Sequence, residues 1–101
     1  MELFDLKVVV ERVEWRPVCG LRPGDSFVVR DSNRLELPPG SHFCIYALAA
    51  VLPLLAAKQR SLPADDWLEQ DSLVACPDPD ERLIMRIERT GRVVLDADEL
   101  T

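Results

Sequence analysis

The chain has 101 residues, of which 48% are hydrophobic and 30% charged, and its formal net charge at pH 7 is −6. This length fits one domain, and the composition is that of a globular protein rather than a disordered one. The negative charge argues against a nucleic-acid partner, because phosphate contacts need clustered lysine and arginine. The sequence therefore predicts a single domain over residues 1–101 with no nucleic-acid partner.

The start of the chain, its longest apolar stretch and its cysteine count bear on the compartment. The first residues, MELFDLK, lack the apolar run of a secretory signal. Residues 43–57 are free of charge, but this stretch is shorter than the ~20 residues of a membrane span. Three cysteines, an odd number, do not fit a disulfide framework. These features predict a cytoplasmic protein that does not interact with membranes.

Alternating and β-branched residues predict three strands in the first part of the chain. Leu6, Val8 and Val10 share one face of an extended segment, which favours a strand with one buried side. Turns rich in proline, glycine and aspartate separate this segment from the next two. The predicted strands cover residues 3–15, 26–30 and 34–37.

The most apolar stretch of the chain predicts one long helix over residues 41–60. Ser41 is the expected N-cap, which would make His42 the first helical residue. Because the stretch is apolar on nearly every side, we expect the helix to be buried on several sides or to lie against another subunit. Pro53 lacks a backbone donor and clashes with the preceding turn, so a kink or break is expected near Leu52.

The remaining residues are predicted to form a connector, a short strand and a hairpin. In the connector, Trp67 and Leu68 are expected to pin the chain to the core. Thr90 and Gly91 are predicted to turn the chain between the two strands of the hairpin. The acidic tail from residue 96 is expected to fray. The strands predicted in this part cover residues 72–76, 81–89 and 92–95.

Taken in order, these elements predict the fold class. Strands and hairpins stand on either side of a single apolar helix, and no internal repeat is present. Such an order favours an α+β domain, in which a mainly antiparallel sheet of about five to six short strands packs around one central apolar helix.

Several short motifs follow one another along nearly the whole chain. They are Cys19, GD-x-F at 24–27, PG at 39–40 leading to Cys44 and an alanine-rich helix with Pro53, CPD at 76–78, and IER at 87–89. In this order and spacing they resemble a family of small prokaryotic proteins of unknown function that carries only a serial-number title. The resemblance implies that the three cysteines occupy the cysteine positions of that family, and it implies no activity.

The three cysteines and the single histidine are the first candidate site. Cys19 lies in a predicted loop, Cys44 at the helix start and Cys76 at the end of a strand, and sites concentrate at such element ends. Together with His42 they would supply a Cys₃His set for zinc or iron. The competing interpretation is that the cysteines pack as small hydrophobic residues. No Cys-x-x-Cys pair, the usual signature of a zinc site, is present.

Cys44 is also a candidate nucleophile or redox thiol. The positive end of the helix dipole favours thiolate at this position. His42 is two residues away, so its side chain would point about 200° from that of Cys44 and would not serve as the base.

Acidic and aromatic residues provide weaker candidates. Residues 65–71 and 78–81 contain carboxylates that could bind a cation or perform acid–base chemistry, although such runs more often form solvated turns and caps. Asp25, Tyr46 and Trp67 are candidates for a small-molecule pocket, and Trp15 is a further aromatic of this kind. Asp25 has the alternative role of bonding backbone donors in its own turn, and aromatics commonly close a small core.

The function predicted from these features is that of a small binding or accessory domain. It would self-associate through the apolar helix and hold a metal, thiol or small-molecule site at the helix start. One alternative is a small cofactor-free enzyme that uses Cys44 or an acidic residue in an apolar pocket. Another is a structural partner protein in which the cysteines matter only for stability.

Overall fold

The computed structural model describes the backbone of residues 1–100 and the side chains of residues 1–98. Five antiparallel strands form one sheet in the order β3-β2-β1-β5-β4. The predicted α+β class, with one long helix beside an antiparallel sheet, is confirmed. The elements are β1 (Glu2–Val13), β2 (Ser26–Arg30), β3 (Arg34–Glu36), α1 (Ile45–Lys58), α2 (Trp67–Gln70), β4 (Leu73–Ala75), β5 (Leu83–Val94) and a 3₁₀ turn, Ala97–Leu100.

The core lies between α1 and one face of the sheet. Leu6, Val8 and Val10 of β1 are buried on this face, as their alternation predicts. Buried side chains of β2, β5 and α1 complete the same cluster. The opposite face of the sheet carries half-buried and charged residues. In the described part of the chain, helix α1 therefore covers one face of the sheet and leaves the other face without a helix.

The predicted hairpin at Thr90 and Gly91 is wrong, because β5 continues through both residues. Gly91 pairs with Asp5, and Arg89 pairs with Leu6, so Thr90 is an extra residue opposite β1. This arrangement is a β-bulge, which bends a strand without reversing it. The whole of β5 can stay extended because β1 is long enough to pair with both halves. The acidic tail after β5 forms the 3₁₀ turn, and Thr101 lies outside the described residues.

Helix α1 begins later than its sequence predicts. The Ser41 hydroxyl donates to the carbonyl oxygen of Pro38 at 2.6 Å and caps no helix. Gly40, with φ +75°, turns the chain here, a conformation that glycine adopts without strain. The N-cap is instead Cys44, which makes no side-chain capping bond, and His42 precedes the helix. The helix is therefore three residues shorter at its N-terminus than predicted, and Cys44 lies directly before its first residue.

Helix α1 continues through Pro53, so of the kink or break predicted near Leu52 the break does not occur. Ala47, Val51 and Leu55 are buried and follow one another at four-residue steps, so they form a single stripe. Ile45, Tyr46 and Leu52 lie on the opposite side and are 69%, 66% and 49% exposed. Of the two predicted alternatives, burial on several sides does not occur within this chain, because the sheet offers α1 only one surface, and contact with another subunit stays a prediction. In the part of the chain that the structure describes, no helix is long and apolar enough to cross a membrane.

Arg89 fastens the C-terminal end of α1. Its guanidinium donates to the carbonyl oxygens of Lys58 at 2.9 Å and Arg60 at 2.8 Å, groups that a helix end leaves unpaired. It also binds both carboxylate oxygens of Glu69, at 2.6 and 2.8 Å. These hydrogen bonds lower the pKa of Glu69 to about 2. The arginine of the IER motif therefore joins β5, α1 and α2 in one polar contact.

The connector is pinned to the core by one of the two residues predicted. Leu68 is buried, whereas Trp67 is 64% exposed. Asp66 caps α2 by accepting a hydrogen bond from the Leu68 amide at 2.9 Å. The short α2 thus presents the leucine to the core and the tryptophan to solvent.

A cysteine-lined cavity as the candidate functional site

All three cysteines line one cavity of about 260 Å³ beside the start of α1. They belong to three separate parts of the chain, and none forms a disulfide. We call this space the cysteine cavity; its lining residues are Val18, Cys19, Cys44, Ile45, Tyr46, Cys76, Asp78 and Glu81. The folding of the chain therefore brings the predicted cysteines together.

Each cysteine is held by a different element. Cys19 lies in the loop that follows β1, and Cys44 is the N-cap of α1. Cys76 directly follows β4, and its amide donates to the Leu83 carbonyl oxygen at 2.9 Å. This bond extends the pairing of β4 with β5, so Cys76 is buried. The cavity thus lies where two loops meet a helix end.

Glu81 organises the loop that carries Cys19. Its side chain is only 1% exposed. One carboxylate oxygen, Oε2, accepts hydrogen bonds from the Val18 amide at 2.7 Å and the Cys19 amide at 3.0 Å. The Cys19 thiol lies 3.3 Å from Oε2 and 3.5 Å from Oε1. Glu81 is therefore a buried residue of the site and not part of a solvated acidic surface.

The sequence contains a signal for this burial. In the strand predicted over residues 81–89, Glu81 has the same parity as the buried Leu83, Met85 and Ile87, so alternation would place it inward, although the chain turns at Arg82 (φ +50°) before β5 begins. When Glu81 is grouped with Asp78 and Asp80 as one acidic run, its alternation with the buried residues of β5 is overlooked. The carboxylate can be buried because backbone amides donate hydrogen bonds to it.

The cavity holds the protonated thiols of Cys19 and Cys76 beside a carboxylate. Burial, together with hydrogen bonds to Glu81 and Cys44, raises the pKa of Cys19 to about 12. Burial and the nearby negative groups also raise the pKa of Cys76. Burial alone would raise the pKa of Glu81, but hydrogen bonds from Cys19 and Val18 outweigh it and lower that pKa. At neutral pH the negative charge is therefore on Glu81 and not on Cys19.

The predicted Cys₃His site is not assembled, because His42 does not reach the cavity. Its Nε2 lies 3.1 Å from the carbonyl oxygen of Cys19, and its ring packs over Gly20 outside the cavity. Among the side chains of residues 1–98, no group of three or more histidine, cysteine or acidic residues has an arrangement that could hold a metal ion. The early turn at Gly40 accounts for this, since it places His42 ahead of the helix.

Of the residues predicted for a small-molecule pocket, only Tyr46 lines the cysteine cavity. The carboxylate of Asp25 accepts the Arg22 amide at 2.9 Å, which is the turn role that was the alternative for it. Trp67 lies on the exposed side of α2, and Trp15 is also exposed. Asp25, Tyr46 and Trp67 therefore do not share the cysteine cavity, and a pocket that involves Asp25 or Trp67 stays a prediction.

Three of the seven acidic residues in the two predicted runs form caps and turns, as their competing interpretation predicts. Asp66, Asp71 and Asp78 each accept a hydrogen bond of 2.9 Å from the backbone amide two residues further on. Such bonds stabilise local turns and explain the carboxylates without a cation. Glu69 and Asp80 instead pair with arginines, and Glu81 differs from all of these residues because it is buried.

Comparisons of the chain with protein-family models, curated proteins and solved structures found no match. The resemblance to the small prokaryotic family therefore stays a prediction. We infer function from the geometry of the cysteine cavity.

Proposed function

We propose that the protein is a small cytoplasmic binding domain whose ligand site is the cysteine cavity. The observation that supports this is the convergence of three distant cysteines and a buried carboxylate on one space of about 260 Å³. Pockets for drug-sized ligands measure roughly 300–1,000 Å³. The cysteine cavity is therefore suited to a compact ligand, or to one side group of a larger molecule.

The side chains that line the cysteine cavity favour ligand binding. Protonated cysteines behave as small, polarisable apolar side chains. Cys19 and Cys76 therefore contribute an apolar surface, together with Val18 and Ile45. Glu81 is the polar group set into this surface, an arrangement typical of small-molecule sites, in which few polar groups fix the orientation of a ligand.

A nuclear magnetic resonance screen of compact molecules tests this proposal. Binding in the cysteine cavity should shift the amide signals of Val18, Cys19 and Cys76 saturably. Ile45→Trp, at the mouth, should block these shifts, whereas Leu52→Trp, on the same exposed helix face but away from the cavity, should not. A screen of cationic, neutral and anionic molecules in which none shifts these amides would count against the cavity as a ligand site.

The alternative is a cofactor-free enzyme with Cys44 as its nucleophile. One observation favours it: Cys44 is the N-cap of α1, and no side chain caps the first turn. The unpaired amides and the positive end of the helix dipole at such a position favour an anion. This alternative predicts one reactive thiol in the cavity, which the binding domain does not require.

Alkylation of the folded protein by iodoacetamide should leave Cys19 unmodified at pH 8. With a pKa of about 12, roughly one Cys19 side chain in 10⁴ is thiolate at that pH. Its rate should rise about tenfold per pH unit above pH 8, because only the thiolate reacts. Peptide mass spectrometry measures each site, and the chain unfolded in urea, where all three cysteines react, is the control. Fast modification of Cys44 alone would favour the enzyme over the binding domain.

We also propose that the part of the exposed side of α1 around Leu52, away from the cysteine cavity, packs against a second copy of the chain. Large apolar side chains on this side are unusual for a helix that stays in water. Leu52→Glu should reduce any dimer measured by sedimentation, because it places a charge within this surface. Trp67→Glu, which alters an exposed apolar residue of α2, is the matched control. A wild-type chain that sediments as a monomer at about 100 μM, well above the ~1 μM Kd of a dimer held by about 8 kcal/mol, would contradict the proposal.

A further inference from the structure

Glu81 is a buried charge without a cationic partner. Among the described residues, no ion pair includes its carboxylate, although it is 1% exposed. Two arginines beside Glu81 are engaged elsewhere: Arg82, the next residue, donates to the Pro79 carbonyl oxygen at 3.2 Å, and Arg16 pairs with Asp80 at 3.0 Å. Buried carboxylates in proteins are usually paired with a cation or a metal.

The hydrogen bonds to Glu81 leave one of its oxygens largely free. Both backbone amides bind Oε2, whereas the contact found for Oε1 is the Cys19 thiol at 3.5 Å. A thiol is a weak donor, and an ionised carboxylate offers about four acceptor positions in all. Oε1 therefore keeps acceptor capacity that the described residues do not use, in a side chain that lines the cavity.

We propose that the cysteine cavity binds a compact alkylammonium group with Glu81 as its counterion. This proposal rests on the proposed function, in which the cavity is the ligand site. An ammonium group would supply both things that Glu81 lacks, a positive charge and a strong donor. The alkyl chain would lie against the sulfur and carbon surface of the cavity.

The other charges around the cavity also favour a cationic ligand. Asp78 is a second carboxylate in the lining, and the lining residues include no lysine, arginine or histidine. The N-terminus of α1 contributes about half a positive charge, which is less than the two carboxylates carry. Glu81 and Asp78 also help to raise the pKa of Cys76, as a negative potential inside the cavity does. This negative potential would repel an anionic ligand.

The mouth of the cavity suits a cation with an apolar stem. Tyr46 and Ile45 line it and are largely exposed. An aromatic ring attracts a cation that approaches its face, and Ile45 can cover an alkyl chain. A free amine and the lysine side chain of a protein partner share this chemistry.

Butylammonium, a mimic of the lysine side chain, is the probe for the test, with 1-butanol and butyrate as neutral and anionic counterparts. Titrations followed at the Val18 and Cys19 amides should show butylammonium binding about tenfold or more tighter than 1-butanol, and no binding of butyrate. Glu81→Gln should remove most of this preference. Asp65→Asn, which neutralises an exposed carboxylate outside the cavity, should leave it unchanged.

The outcomes separate this inference from the proposed function. If 1-butanol binds as tightly as butylammonium, the ammonium site is wrong and the cavity remains a ligand site. If no probe in the wider screen binds, both proposals fail. Should Glu81→Gln not fold, the comparison of the three probes on the wild-type chain still decides. Tighter binding of a lysine-containing peptide than of butylammonium identifies a protein partner as the source, and equal binding identifies a free amine.

Discussion

Replacing Phe27 by alanine is expected to lower the free energy of unfolding by about 3–5 kcal/mol. Phe27 is completely buried where β2 faces the start of α1. Its ring meets that of Phe43 edge to face, with the centroids 4.8 Å apart and the planes at 83°. Such a pair contributes beyond the area it buries, and a cavity would replace it. Urea denaturation measures the loss.

Val28→Ala is the matched control for this prediction, because Val28 is the next residue of β2 and lies half-buried on the opposite face of the sheet. It is expected to cost about 1 kcal/mol or less, since little packing is lost there. Equal effects of the two substitutions would mean that the core does not lie on the face that α1 covers. Phe43 precedes Cys44 directly, so Phe27→Ala should also disturb the wall of the cysteine cavity.

The sequence predicts those parts of the fold that depend on neighbouring residues. The buried face of β1 follows from alternation within one segment, and the turn of Asp25 follows from a proline–glycine pair beside it. The helix start at Ser41 was wrong for a reason that is also local but easily misjudged. Gly40 takes a positive φ, and the Ser41 hydroxyl donates to the Pro38 carbonyl oxygen instead of capping the helix.

The features that the sequence did not predict depend on distant partners. Thr90 and Gly91 look like a hairpin turn until β1 is known to extend far enough to pair with both sides of them. Both His42 and Cys44 lie near the helix start, yet only Cys44 faces the cavity, because the path of the loop decides this. The convergence of the three cysteines likewise depends on how two loops pack on a helix end, which no spacing rule contains.

Replacing Glu81 by alanine is expected to lower the free energy of unfolding by about 2–4 kcal/mol, although it removes a buried charge. The Val18 and Cys19 amides would lose their acceptor inside the protein, and each unsatisfied buried donor costs about 1–3 kcal/mol. Glu81→Gln should cost less, because its amide oxygen can still accept from both donors while its charge is gone. Asp80→Ala, which alters an exposed neighbour that pairs with Arg16, is the control and should cost less than about 1 kcal/mol. Urea denaturation gives the free energies, and hydrogen exchange at the two amides identifies the cause. If both amides remained protected in Glu81→Ala, the carboxylate would not be what holds the Cys19 loop against the cavity.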